Sequence, residues 1–412
     1  MAKPNKVNNF AASFFLMLCV MGFFAILSST MSKNPVLNPF AKSIGIPEAD
    51  PLLGFVAAAS TIPGILASLP AGRLSDIIGR KKILLLSSII FASAPFLYLF
   101  ITSPWQLFLV RFYHGFATAM FVPVANAAIA EKFPLEKGEK MSTFSSITIV
   151  GRIIAPVLGG YILSGGYILP KTDWNYHGLY LTVGVAGTCA LFTALILFGK
   201  ESSKGISQKS SEDKSTSHGT FGNWKKVANV GLVEAAQYYT FGAYEFYLVD
   251  YATSPKIGLD ALSIGVVAGA QLAAIALVKP FAGRFSDKVG RKTPIVLGLV
   301  IGSVPLIITS FASSFFELLL VSVVYGIGFS LVTSSTGPLV SDMVNKETYG
   351  SALGFLSTIM DVGQTLGPII TGFIFATTFG YFGAFTSLGI ILLVIGLFFS
   401  LQQIRIKERS YS

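Results

Sequence analysis

Residues 71–81 read AGRLSDIIGRK, and residues 282–292 read AGRFSDKVGRK. The two stretches begin at Ala71 and Ala282, 211 positions apart in a chain of 412. Further matches run outward at nearly the same spacing. RFYHGFA around Gly115 aligns with SVVYGIGF around Gly326, and GRIIAPVLGG from Gly151 aligns with GQTLGPIITG from Gly363. Three matches in one order at one offset mark a duplication of half the chain.

The segments between these matches are apolar. Hydrophobic residues make up 52% of the chain and charged ones 12%, against a charged share of roughly 25% in soluble domains. Thirty-five phenylalanines and a mean hydropathy of +0.68 leave too little polar surface for a water-soluble particle. A helix needs roughly 20 apolar residues to cross a bilayer. Twelve spans are expected, at 10–40, 50–71, 82–101, 104–131, 140–165, 177–199, 226–251, 260–281, 294–312, 314–342, 349–378 and 380–402. The expected fold is therefore an all-α membrane protein of twelve transmembrane helices in two parallel-repeated six-helix bundles, 1–199 and 224–412. Residues 200–223, rich in Ser and Lys, read as a linker. His218 within it reads as an ordinary linker residue. Parallel repeats of this kind build alternating-access carriers.

The net charge of +10 does not point to nucleic acid, because the bases fall in short clusters between apolar runs. Most of the 30 Lys and Arg lie on one side of the expected topology, and Lys42, Lys171 and Lys256 lie on the other. The positive-inside rule then places both termini in the cytoplasm, at a multi-pass cell membrane. Cys19 and Cys189 read as small core residues. No G-x-x-x-x-G-K-[ST], H-E-x-x-H or C-x-x-C occurs, and no soluble segment of useful size exists to house a catalytic site. An enzyme, a metal site and a cofactor are not expected.

Ionisable groups inside spans are functional candidates by default. Six stand out: Lys33, Arg111 and Arg152 in the first half, and Glu234, Glu245 and Asp361 in the second. The positives all fall in one half and the negatives in the other. Glu234 shares a helix face with Gln237, Phe241 and Glu245 at i, i+3, i+7 and i+11. A carboxyl deprived of water can hold a proton that it would release in solution, which makes Glu234, Asp361 and Glu245 candidates for proton coupling. By the repeat offset Glu245 matches Asn34, so Lys33 and Glu245 are expected in one layer. His114, Asn126, Tyr238, Tyr244, Gln271, Tyr325 and Gln364 complete the candidate cavity.

The two loop motifs identify a resemblance to the major facilitator superfamily over essentially the whole chain. Its signature G-x-L-x-D-x-x-G-R-K stands as Gly72, Leu74, Asp76, Gly79, Arg80 and Lys81. It recurs as Gly283, Asp287, Gly290, Arg291 and Lys292, with Phe285 in place of Leu. The fourth span carries the family's Arg111 and Gly115. The fifth nearly matches an antiporter motif as Gly151, Pro156, Gly159 and Gly160, with Ala155 in place of a glycine; Gly363, Gly367 and Pro368 repeat it in the eleventh. The resemblance is greatest to the drug:proton antiporter group. It implies that spans 1, 4, 7 and 10 line a cavity and that the loop acids serve as a conformational latch. Asp76 would face the start of span 11 near Thr348–Ser351, and Asp287 the start of span 5 near Lys140–Thr143. Physically, Gly72 and Gly79 are expected to shape the turn, with Asp76 and Arg80 paired four residues apart.

The leading expectation is a monomeric proton-coupled antiporter, driven by a proton gradient, that exports a small, partly apolar molecule. An organic-anion carrier using Lys33, Arg111 and Arg152 is the alternative, and a non-transporting sensor or lipid-handling relative is the third.

Overall fold

The computed structural model describes residues 6–48, 50–165, 175–199, 224–344 and 348–410, which form fourteen α-helices and, among the described residues, no strand. The linker at 200–223 with His218, and Lys171, lie outside the described residues. The first half contains α1 (Lys6–Met31), α2 (Leu37–Ser43), α3 (Leu52–Ala58), α4 (Ile62–Ile78), α5 (Arg80–Leu97), α6 (Pro104–Lys132), α7 (Lys137–Leu163) and α8 (Tyr176–Gly199). The second contains α9 (Trp224–Thr253), α10 (Ala261–Val289), α11 (Lys292–Thr309), α12 (Phe315–Met343), α13 (Tyr349–Phe375) and α14 (Gly380–Ser410).

The duplication reaches the helix caps. Ser103 opens α6 and Ser314 opens α12, each side chain accepting from the backbone N–H three residues on. The turns from α4 to α5 and from α10 to α11 pass through Gly79 at φ 95° and Gly290 at φ 88°. That left-handed backbone is open to glycine with little strain.

Three expectations change. The first span is not one helix: α1 stops at Met31, residues 32–36 form turns, and α2 follows, so Lys33 sits in a break. The second span is also broken, and its two parts, Leu52–Ser68 and Pro70–Ile78, meet at 50° where Pro70 removes a backbone donor. Gly72 and Gly283 do not shape turns; both lie inside helices, since α4 and α10 run on to Ile78 and Val289. Ten helices are long and apolar enough to cross a membrane, or eleven with the bent pair. The remaining pass by position is α9, whose 30 residues include Lys226, Glu234, Glu245 and Asp250 and fall short on apolarity.

The loop motifs define one side of the molecule, here the motif side; the other is the far side. Contact between the two bundles runs from the far side to about mid-depth. Gly160 of α7 lies against the Ala261 carbonyl of α10, and Gly265 of α10 against the Pro156 carbonyl. Gly54 of α3 lies against the Pro368 carbonyl of α13. A methyl group at any of these positions would collide with backbone. Ser164 Oγ accepts from Leu262 N at 3.2 Å, and the hydroxyls of Thr61 and Thr365 meet at 2.7 Å. On the motif side, Asp76 and Asp287 are 59% and 62% exposed, each paired with the arginine of its own loop. The structure is thus closed on the far side and parted on the motif side.

Leucine at Gly160 is expected to prevent far-side closure. In a background lacking Cys19 and Cys189, a cysteine replacing Ser32, which is 1% exposed, should then react at least severalfold faster with an impermeant thiol reagent from the far side. Unchanged reactivity would contradict the packing described.

Candidate functional site

Four charged side chains from both bundles gather at mid-depth. Glu234 of α9 is 6% exposed. Thr336 Oγ1 of α12 donates to its Oε1, and Oε2 has no hydrogen-bond partner among the described residues. Lys279 of α10 lies within electrostatic range of Glu234 and of Arg152 on α7. Tyr238, one turn along α9 from Glu234, feels the charges of Glu234, Arg152 and Asp361. Arg152 is exposed, and Asp361 of α13 is half-buried against Gly64 of α4 across the bundle interface. No ion pair within 4 Å joins Arg152 to Asp361 among the described residues. Beside this layer the rings of Tyr238 and Phe241 pack on Phe329 at 5.2 and 4.7 Å. Gln237 is fully buried, with neither amide atom hydrogen-bonded among the described residues. Together these groups offer two acids, two bases, an aromatic wall and an unsatisfied amide.

A second layer lies toward the far side. Lys33 Nζ donates to Glu245 Oε2 at 3.0 Å, joining the break after α1 to α9. Lys42, at the end of α2, pairs with Asp250 of α9 and reaches Glu48 at 3.2 Å. Asp250 is 1% exposed. Both ties cross between bundles, and both use an acid of α9.

Asp250 and Lys279 were absent from the six expected charges, and they overturn the one-sided split, because Lys279 puts a positive charge in the second half. Each sits near the end of its apolar run, where a sequence count reads it as flank. The pairing of Lys42 with Asp250 depends on the turn that carries α2 back to α9, which local sequence does not reveal.

Several expected cavity residues belong to bundle interiors instead. Arg111 is buried within the first bundle, donating to Ser60 Oγ at 2.6 Å, with His114 one turn away. Tyr244 and Ser322 share a hydrogen bond of 2.9 Å, as do Tyr325 and Thr240. Gln271 is 2% exposed, its Nε2 without a hydrogen-bond partner among the described residues. Asn126 and Gln364 are half-buried, and the Gln364 carbonyl packs against Gly242.

The motif glycines serve close helix contacts. Gly115 lets α6 approach the Ser60 backbone, while Gly151 and Gly159 face α1 and the turn after it. Gly363 and Gly367 of α13 lie against the Ala235 and Tyr239 carbonyls of α9. At the loops, Arg80 bridges Asp76 and Glu131, and Arg291 bridges Asp287 and Asp342. Each loop acid is thus held by the arginine of its own loop.

The family model of the Major Facilitator Superfamily matches residues 10–252 and 229–409. The chain belongs to the major facilitator superfamily. It is a transporter, not an enzyme, and resides in a membrane with many helical passes. Quinolone resistance protein NorA of Staphylococcus aureus is 25% identical over 346 residues, covering 83% of this chain and 84% of NorA. Multidrug resistance protein MdtG of Proteus mirabilis is 25% identical over 359 residues, covering 85% and 86%. Among solved structures, a bacterial homolog of the human lysosomal transporter Spinster, in an inward-facing and occupied conformation, superposes with a TM-score of 0.76. That pair shares 15% identity over 97% of each chain. The nucleoside transporter NupG superposes at 0.74, with 16% identity over 94% of this chain and 98% of NupG. These two likenesses concern the fold alone.

The Lys33–Glu245 contact is measurable. Lys33→Gln and Glu245→Gln are each expected to lower thermal stability, and the double variant to lose less than the sum, with a coupling of about 1 kcal/mol. Strictly additive losses would show that the contact contributes nothing.

Proposed function

We propose that this transporter is a proton-coupled antiporter that exports a small, partly apolar molecule by alternating access. The observation carrying this reading is Glu234: buried, half-satisfied, flanked by an aromatic wall and within range of the Lys279 cation. A protonated carboxyl is neutral and tolerated at mid-depth, and an organic cation that displaces the proton keeps the site neutral. Coupling and recognition then share one group. Asp361, at the bundle interface without an ion pair among the described residues, is the second proton site in this reading. Glu245, tied to Lys33, is the third. The resistance proteins NorA and MdtG, similar over most of their lengths, support export.

The motif side, which holds most of the Lys and Arg, is taken as cytoplasmic, with both termini there. Residues 1–199 and 224–412 move as two bodies joined by the linker, each protein acting as a monomer. The alternative, an organic-anion carrier, has less support: Lys33 is held by Glu245 and Arg111 is enclosed in the first bundle, which leaves Arg152 and Lys279.

In inverted membrane vesicles, Glu234→Gln should cut accumulation driven by a proton gradient at least tenfold while sparing exchange of labelled for unlabelled substrate. Full gradient-driven accumulation by that variant would contradict the assignment.

A further inference from the structure

A separate polar cluster lies entirely inside the first bundle. Its centre is Arg111, 2% exposed, which donates from Nη2 to the neutral Ser60 hydroxyl and lies against the neutral Tyr98 hydroxyl. No carboxylate lies within ion-pair distance of Arg111 among the described residues. Around it stand His114 on α6, Tyr98 just past the end of α5, and Tyr180 on α8, exposed by 3%, 1% and 1%. The rings of Tyr98 and Tyr180 stack with centroids 4.4 Å apart and planes 5° from parallel. The Tyr98 and His114 rings meet edge-on at 6.1 Å. The charge of Arg111 reaches all three.

Three polar atoms in this cluster have no hydrogen-bond partner among the described residues, Arg111 Nε, His114 Nε2 and Tyr180 Oη, while Tyr98 Oη lies against the Arg111 guanidinium with its own hydrogen free to donate. Each can present a hydrogen. Leaving one such group buried and unpaired typically costs about 1–3 kcal/mol, and more when it is charged. Water would supply acceptors but would leave the guanidinium uncompensated in a low-dielectric interior, where a bare charge is costly. An anion answers both needs, taking several hydrogen bonds and balancing the single positive charge. Because all four residues are more than nine-tenths buried within one bundle, the ion has to be small. Because one cation defines the site, it has to be monovalent.

We infer that Arg111, His114, Tyr98 and Tyr180 form a binding site for a small monovalent anion of the halide type. This site is distinct from the layer around Glu234 and does not depend on what the transporter moves. Through Ser60, the bound anion also steadies the break between α3 and α4.

The test uses the purified full-length protein, melted in sodium chloride or sodium bromide and in sodium gluconate at equal ionic strength. A ligand bound only to the folded state raises the melting temperature in a saturable way. Halide is expected to do so. The double variant Tyr98→Phe, Tyr180→Phe keeps the ring stack and should weaken the halide effect at least tenfold in concentration. Should that variant fail to fold, anomalous scattering from crystals of the native chain in bromide decides: a peak within hydrogen-bond distance of the Arg111 guanidinium is expected. Equal melting in halide and gluconate, a halide response unchanged in the double variant, or no bromide peak at the cluster would each overturn the inference and leave water alone there.

Discussion

Hydrocarbon offers a charged side chain no solvation, so every acid on α9 has to be answered from elsewhere in the fold. Glu245 is answered by Lys33 and Asp250 by Lys42, and both lysines come from the opposite bundle. Glu234 is answered only in part, by the hydroxyl of Thr336. This requirement makes α9 the element through which the halves hold one another. It also explains why α9 falls short of the apolarity of a spanning helix while packing among helices that meet it. The glycine contacts of α7 with α10 and α3 with α13 close the same side by shape. Charge and packing thus act at one level, and the motif side is left free to part.

The Lys33–Glu245 tie suits a carrier because it is modest. A partly exposed ion pair contributes on the order of 1 kcal/mol, since each charge regains water when the pair separates. Rocking the bundles therefore exchanges one set of small interactions for another. On the motif side, Arg80 and Arg291 hold Asp76 and Asp287 within their own loops. Those arginines keep the acids satisfied within their own loops.

The duplication, the number of passes and the ends of most helices were legible in the sequence, because apolar length and glycine-bearing turns are local properties. Glu234, Tyr238 and Phe241 were legible as one face of α9 for the same reason. The breaks at 32–36 and 59–61 were not, because they answer packing against other helices. Arg111 shows the limit most clearly. Its residue type and depth marked it as a candidate, but which way α6 turns it, into the bundle or toward the gap, depends on Gly115 meeting the Ser60 backbone. Asp250 and Lys279 escaped notice because charges near the ends of apolar runs read as flanks until the opposing charge is located in space.

The central claim is that far-side ties on α9 hold the motif side open. Spin labels at Lys82 and Lys288, both exposed on the motif side in opposite bundles, report the separation of the two loops by pulsed electron paramagnetic resonance. Removing the tie with Glu245→Gln should move population from the longer toward a shorter distance, as the far side loosens and the motif side closes. An identical distance distribution in the native chain and the variant would contradict the account.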